Sequence, residues 1–304
     1  MSLSDNMRAA LLIMTSMTAF TVNDALMKLA APGLPFFQQV FLRGCLITLG
    51  LFLLTLHWRE LGGRIAGRDR GLIALRTLAE ALGTVFFLTA LFNMELANLS
   101  AILQALPLTV TLAAALFLGE AVGWRRVVAI LVGFVGVAII IRPGMDGFTV
   151  YSLYGLAAVA AVTVRDLAAR RLSTTVPSSR VALSAAIGVT ALAGLGSLME
   201  GEVWVTPNLT QATLVSAAAA TLMIGYLAAV AGMRQGEIGF VAPFRYTSLL
   251  VALLLGFFVF GDWPDALTML GAAIVVATGL FTLYRERTAK LPSSGLSAKA
   301  GRLR

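Results

Sequence analysis

The sequence predicts an all-α membrane protein of ten transmembrane helices, arranged as two inverted five-helix repeats. Composition, recurring apolar runs and an internal duplication predict it. With 59 % hydrophobic and 12 % charged residues and a mean hydropathy of +0.89, the 304-residue chain has too little polar surface to cover a water-soluble globule. Apolar runs recur at 8–30, 35–56, 71–92, 97–118, 124–141, 150–171, 181–199, 211–233, 239–260 and 265–284. Each is close to the ~20 residues that cross the hydrocarbon as a helix. Strands are excluded, because the runs are about twice as long as a barrel strand and do not alternate.

The duplication starts from one stretch. Thr21-Val22-Asn23-Asp24-Ala25-Leu26-Met27-Lys28 returns 142 residues later as Thr163-Val164-Arg165-Asp166-Leu167-Ala168-Ala169-Arg170. At the same offset Pro35 falls on Pro177, Glu95 on Glu237, Gly119 on Gly261 and Glu120 on Asp262. Apolar coincidences are cheap in so apolar a chain; matched acids, a proline and a glycine are not. The chain divides into an N-terminus (1–7), a first five-helix repeat (8–142), a linker (143–149), a second repeat (150–284) and a basic tail (285–304) expected to be disordered.

The charge of +8 follows the membrane, not nucleic acid. Cations collect in alternate connections: Arg59, Arg64, Arg68 and Arg70 after the second helix, Arg125 and Arg126 after the fourth, Arg170, Arg171 and Arg180 after the sixth. Arg234 follows the eighth, and Arg285, Arg287, Lys290, Lys299, Arg302 and Arg304 follow the tenth. The other connections hold few cations beyond Lys28 and Arg142, and Glu200, Glu202, Asp262 and Asp265 sit there. By the positive-inside rule both termini are cytoplasmic. Five spans is an odd number, so the second repeat enters the bilayer from the opposite side.

In chain order, the first helix carries Asn23 and Asp24 and is too long for a signal peptide. The turn at 31–35 leads to the second helix with Arg43, and His57 to Gly71 reads as a basic connector without the Lys-Ser/Thr of a phosphate loop. Arg76 and Glu80, four apart, share a face of the third helix. The fourth carries Gln104 and the kinking Pro107, and the fifth, with Gly133 and Gly136, packs closely. The sixth ends in Arg165, Asp166, Arg170 and Arg171, and the seventh is small-residue rich. The eighth carries Tyr226, the ninth Pro243, Arg245 and Tyr246, and the tenth, with Gly271 and Gly279, mirrors the fifth. Cys45 is the only cysteine and His57 the only histidine, and both read as structural. They leave no disulfide framework, clustered metal site or Ser/His or Cys/His pair, so neither an enzyme nor a cofactor is expected.

Both halves end their fourth helix in Phe-Leu-Gly-Glu or Val-Phe-Gly-Asp (117–120, 259–262) and run into a glycine-rich fifth. In this, and in Ala242-Pro243-Phe244-Arg245-Tyr246 with the following Leu270-Gly271-Ala272-Ala273, the chain resembles the EamA-type family of the drug/metabolite transporter superfamily. The resemblance spans nearly the whole chain. It implies a secondary transporter of the bacterial inner membrane, with a central cavity lined by helices 1, 3, 4, 6, 8 and 9.

Ionisable groups inside hydrocarbon cost ~3 kcal/mol each on insertion scales and therefore mark the candidate site. Arg76, Glu80, Gln104, Tyr226, Arg245 and Tyr246 are expected to bind substrate. Arg76 and Glu80 alternatively form a self-satisfied ion pair, and Arg245, with no acid within a turn, looks to Glu80 or to a substrate anion. Arg43, Arg76 and Arg245 against Glu80 and Asp24 leave one cation in excess, which points to an anionic or zwitterionic metabolite such as an amino acid or carboxylate. A larger vitamin- or nucleoside-like cargo and, further off, a channel stay open. Asp24 with Lys28 and Arg43, and Asp166 with Arg165 and Arg170, form expected gates at opposite ends, or helix-end anchors. The expected partners are a small-molecule substrate, the lipid bilayer, a coupling proton on Glu80 and a second copy of the chain in a homodimer.

Overall fold

A computed structural model of the protein describes residues 5–62, 65–119, 122–144, 148–173, 175–235 and 241–290. Arg64, Glu120, Glu237, Lys299, Arg302 and Arg304 lie outside the described residues. Among the described residues ten helices are long and apolar enough to cross a membrane. They are α1 (Asp5–Ala30), α2 (Phe36–His57), α3 (Gly67–Asn93), α4 (Leu96–Leu118), α5 (Trp124–Ile141), α6 (Val150–Arg170), α7 (Ser178–Met199), α8 (Leu209–Gln235), α9 (Pro243–Phe260) and α10 (Ala266–Lys290). The chain is an all-α, multi-pass membrane protein. Two boundaries depart from expectation. Helix α3 starts four residues inside the expected connector, and α10 runs to Lys290 although the tail was expected to lose structure at 285. Both extensions are rich in Arg, whose flexible stem suits a helix end leaving the membrane.

Two helices are broken at matching places. Helix α4 interrupts its α pattern at Gln104 and Ala105, just before Pro107, and i→i+3 bonds such as Leu108 N–H to the Ala105 carbonyl (3.0 Å) recover the backbone there. Helix α9 opens as a 3-10 turn over Ala242–Tyr246 around Pro243. Both helices end on a glycine in the left-handed region, Gly119 at φ 69° and Gly261 at φ 71°, a conformation that costs glycine nothing. That requirement explains why this pair recurs in the duplication.

The packing follows a pseudo-two-fold pairing. Helix α1 lies along α8 and its counterpart α6 along α3; α3 also meets α7, and its counterpart α8 meets α2. The self-paired sets are α2 with α7, α4 with α9 and α5 with α10. Side chains repeat the pattern. Thr48 and its own counterpart Thr190 share a hydrogen bond of 3.2 Å between α2 and α7. Glu202 accepts the N–H groups of Phe37 (2.9 Å) and Gln38 (3.1 Å), capping α2. Its counterpart Glu60 accepts the hydroxyl of Ser179, the counterpart of Phe37, in the first turn of α7. Each half thus places a glutamate at the start of the other's second helix, and Glu202 caps α2.

Apolar packing fills the flanks. Leu108, Ile130, Ile140 and Val275 join α4, α5 and α10, and Met27, Leu88, Leu91 and Leu99 join α1, α3 and α4. Gly136 and Gly271 bring α5 and α10 into backbone contact, since a Cβ at Gly271 would lie 2.6 Å from the Gly136 carbonyl oxygen. At the end of that pair Arg142 bridges to Asp265 and donates to the Thr268 hydroxyl (3.1 Å). Hydrogen bonds from Arg142 and from the Thr268 N–H hold the Asp265 carboxyl down at about 2, against an ordinary 3.8.

Two predictions follow the contacts of α5 with α10. Gly271→Ala should cost about 1–3 kcal/mol by overpacking against backbone that cannot yield. Gly71→Ala, exposed on α3 with nothing within 4 Å of the new methyl, should leave the melting temperature level or slightly raised. In acid, the Asp265 contribution is full above its ordinary pKa and lost as pH falls toward about 2. Melting curves of wild type and Asp265→Asn should therefore differ near pH 5 and converge near pH 2.

Candidate functional site

Long side chains from five helices meet in the interior of the spans. Glu80, halfway along α3, accepts from Arg165 of α6 at 3.1 Å and faces Arg76, one turn back, at 3.6 Å. Arg165 also grips Asp166 at 2.8 Å. On α1, Asn23 donates to Asp24 at 2.9 Å and accepts from Arg43 of α2 at 3.3 Å, so that Asp24 and Arg43 attract one another through the amide. Tyr226 of α8 lies within electrostatic reach of Glu80, Arg165, Arg76 and Arg43. The ring of Phe20 meets it edge-on, with centroids 5.5 Å apart. Gly225 allows that approach, since a methyl there would strike the Phe20 ring.

Arg43, Arg76, Glu80, Thr84 and Tyr226 line a cavity of about 60 Å³ between α2, α3, α7 and α8. That is well below the ~150 Å³ of a cavity that holds benzene, so this conformation admits a headgroup rather than a whole metabolite. The expected lining by helices 1, 3, 4, 6, 8 and 9 needs correction here: α2 and α7 form walls of the cavity. Arg43 reaches in from α2, and the alanines of α7 leave the room.

The expected site residues separate into two groups. Arg76, Glu80 and Tyr226 come together, and Arg245 stands near them, exposed, within reach of the charges on Asp166 and Arg165. The expected pairing of Arg245 with Glu80 gives way to Asp166, because Glu80 is engaged by Arg76 and Arg165. Gln104 and Tyr246 lie apart. Gln104 donates to Ser248 at 3.0 Å and ties the breaks of α4 and α9 together. The Tyr246 hydroxyl is buried against Gly279 of α10 with no hydrogen-bond partner. Lys28 leaves Asp24 aside: it donates to the Met94 carbonyl, lies 5.3 Å from the Phe260 ring centre and is attracted by Asp262 and Glu95. Burial, reinforced by Asp262 and Asp265, pushes the Glu95 carboxyl up. Arg170 is exposed at the end of α6.

Arg165 and Thr84 belong to the site and were not expected there. Arg165 reads as a helix-end cation, yet it precedes the last turn of α6. The repeat carried the signal, since Arg165 occupies the position of Asn23, deep in α1. Among the described residues no group of three or more His, Cys, Asp or Glu side chains is arranged to hold a metal ion.

Comparison with known proteins settles the class. Residues 7–142 match the EamA-like transporter family. Relatives align along both halves. The S-adenosylmethionine uptake transporter of Rickettsia conorii is 24 % identical over 277 residues, 90 % of this chain and 92 % of that one. The pseudopaline exporter CntI of Pseudomonas aeruginosa is 28 % identical over 276 residues, 88 % and 92 % of the two chains. Over residues 7–142 the protein belongs to the EamA-like transporter family. The riboflavin transporter of Vibrio cholerae is also similar, 27 % identical over 286 residues, 92 % of this EamA protein and 94 % of that one. A solved crystal structure shares the fold at a TM-score of 0.64, with 20 % identity, over 93 % of this chain and 99 % of the other. This EamA protein is accordingly a transporter of small molecules and not an enzyme.

Glu80 is the counter-ion of two guanidiniums, so Glu80→Gln should cost about 3 kcal/mol by stranding buried charge. Arg165→Gln added to it should cost less than the sum of the two single changes, as thermal melts of the four proteins would show.

Proposed function

We propose that this protein is a secondary transporter that moves a small organic metabolite bearing a carboxylate, anionic or zwitterionic, across the bacterial inner membrane by alternating access. The observation that carries this reading is the charge of the embedded cluster. Arg43, Arg76, Arg165 and Arg245 face Asp24, Glu80 and Asp166, four cations against three acids. The positive charge in excess belongs to the exposed Arg245, which leaves it open to one bound anionic group. Both termini are assigned to the cytoplasm by the cations in alternate connections. The two-fold pairing of helices supports inverted repeats that rock about the centre. The gates assigned from sequence take a narrower form: Lys28 closes one end onto Met94 and Phe260, while Arg171 at the other end donates to the Phe117 carbonyl at 2.8 Å.

A coupled cycle needs a carboxyl that its partners can release. Asp24, with a single amide donor, is placed for that role better than Glu80, which two guanidiniums hold. The relatives include an uptake transporter and an exporter, so membership of the family leaves the direction to experiment. A larger vitamin- or nucleoside-like cargo is favoured by the Phe20–Tyr226 pair, which offers a ring face near the charges, and by relatives named for riboflavin and S-adenosylmethionine.

Uptake into proteoliposomes decides between these readings. Labelled amino acids or carboxylates should accumulate saturably, and Arg76→Ala and Arg245→Ala should each lower the rate at least about tenfold, the worth of a charged hydrogen bond. Tyr246→Phe should stay within about twofold, since a charged contact, not this buried hydroxyl, supplies the binding. Unaltered uptake in both arginine variants would sink the carboxylate site, and competition by riboflavin alone would favour the larger cargo.

A further inference from the structure

The cavity straddles the pseudo-two-fold relation between the halves, because its walls α2 and α3 have α7 and α8 as their counterparts. Duplication alone would make the opposed walls alike. They are opposites in chemistry. Arg43 stands across from its counterpart Ala185, Glu80 from Leu222 and Thr84 from Tyr226. Arg76, also lining the cavity, has Ala218 as counterpart. All full charge therefore lies on the first half's wall, while α7 offers Ala182, Ala185 and Ala186 with Leu222 of α8 beside them.

Two features of the charged wall bear on a ligand. Arg43 is 6 % exposed and its Nε has no hydrogen-bond partner; the buried Nη1 of Arg76 has none either, and on the same wall the Glu80 Oε2 accepts none, so a ligand ammonium suits Glu80 as a carboxylate suits the two guanidiniums. Leaving a buried guanidinium donor unsatisfied costs free energy, and an anionic oxygen in the cavity satisfies it. The opposite wall provides no such partner. Its small side chains leave room for methylene or aromatic carbon, and its exposure inside the cavity rewards covering by apolar surface.

Resting on the carboxylate reading above, we infer that the cavity takes an amphipathic monocarboxylate in one orientation. The carboxylate lies on Arg43 and Arg76, and an apolar body lies on the alanine wall of α7 and Leu222. The alanine wall, not the arginines, then sets which side chain or chain length is accepted. The headgroup fits the present cavity, and the body enters as α7 and α8 part from α2 and α3.

The test is binding of an α-amino acid series with one constant headgroup, from glycine through alanine, 2-aminobutyrate and norvaline to norleucine, and a matched series of straight-chain carboxylates. Purified full-length protein is followed by thermal shift at graded ligand concentrations. In one of the two series affinity should rise roughly threefold per methylene. Ala185→Leu should flatten the rise while the shortest member keeps its affinity, and Leu222→Asn should also reduce the increment per methylene. Should Ala185→Leu fail to fold, Leu222→Asn carries the test alone. Affinity independent of chain length, or an increment unchanged in the folded variants, would overturn the orientation while leaving a carboxylate site standing. Absence of binding by every member of both series would overturn the carboxylate reading itself, and the orientation with it.

Discussion

The constraint on which this structure depends is the cost of holding ionised side chains in hydrocarbon. Arg43, Arg76, Arg165 and Arg245 lie away from the helix ends that reach water, and each is tolerable only beside an acid, an amide or a water-filled space. Glu80 meets the largest share of that demand. By accepting from Arg165 while facing Arg76 it ties α3 of the first half to α6 of the second. Asn23 does comparable work with a neutral amide, linking Arg43 to Asp24. The halves are thus joined in the middle by polar contacts and at the flank by the backbone contact of Gly136 with Gly271. Charge placed elsewhere on these helices would face lipid.

Symmetry supplies the scaffold, and its violation supplies the chemistry. Positions that hold the bundle together recur in kind: Gly119 and Gly261 end helices, Glu60 and Glu202 accept hydrogen bonds at the starts of α7 and α2, and Thr48 meets Thr190. Each answers a backbone or packing demand that both copies face, so either copy loses stability when the residue changes. Residues around the cavity are free of that demand and have diverged. Arginine and glutamate in one copy correspond to alanine and leucine in the other. A site for an asymmetric molecule has no use for two equal walls.

Much of the fold was legible because hydrocarbon thickness and the offset of 142 residues are both written in single residues. Helix existence and order follow from apolar length, while ends such as the start of α3 and the extension of α10 do not, since arginine serves equally in a helix and a loop. In the site, Arg76, Glu80 and Tyr226 were legible as polar groups in apolar runs. Arg165 is not legible as a site residue, because nearness to a helix end in sequence does not say whether a side chain meets water. Tyr246 reads equally as a polar group in an apolar run, but its hydroxyl turns toward the gap left by Gly279. Lys28 shows the same limit: its partners Met94 and Phe260 are remote in sequence, and only tertiary packing selects them over Asp24, one turn away.

The cavity's size bears on how the halves move. At about 60 Å³ it must enlarge to accept a whole metabolite, and enlargement is cheapest where the contacts that part are few and replaceable. Midway along α2 and α7 the polar tie is the Thr48–Thr190 hydrogen bond, the Glu202 and Glu60 contacts lying at the helix ends, and across α4 and α9 it is Gln104 to Ser248. Each contributes about 1 kcal/mol net and can be replaced by water. The α5–α10 contact has no such substitute, because backbone packed on backbone at a glycine loses dispersion with nothing to replace it. Motion that opens the cavity should therefore turn about α5 and α10 and part the walls on the far side, where the alanines of α7 face the arginines. The outer ties are compatible with that division. Lys28 grips a carbonyl and a ring face rather than a carboxylate, contacts that water can replace.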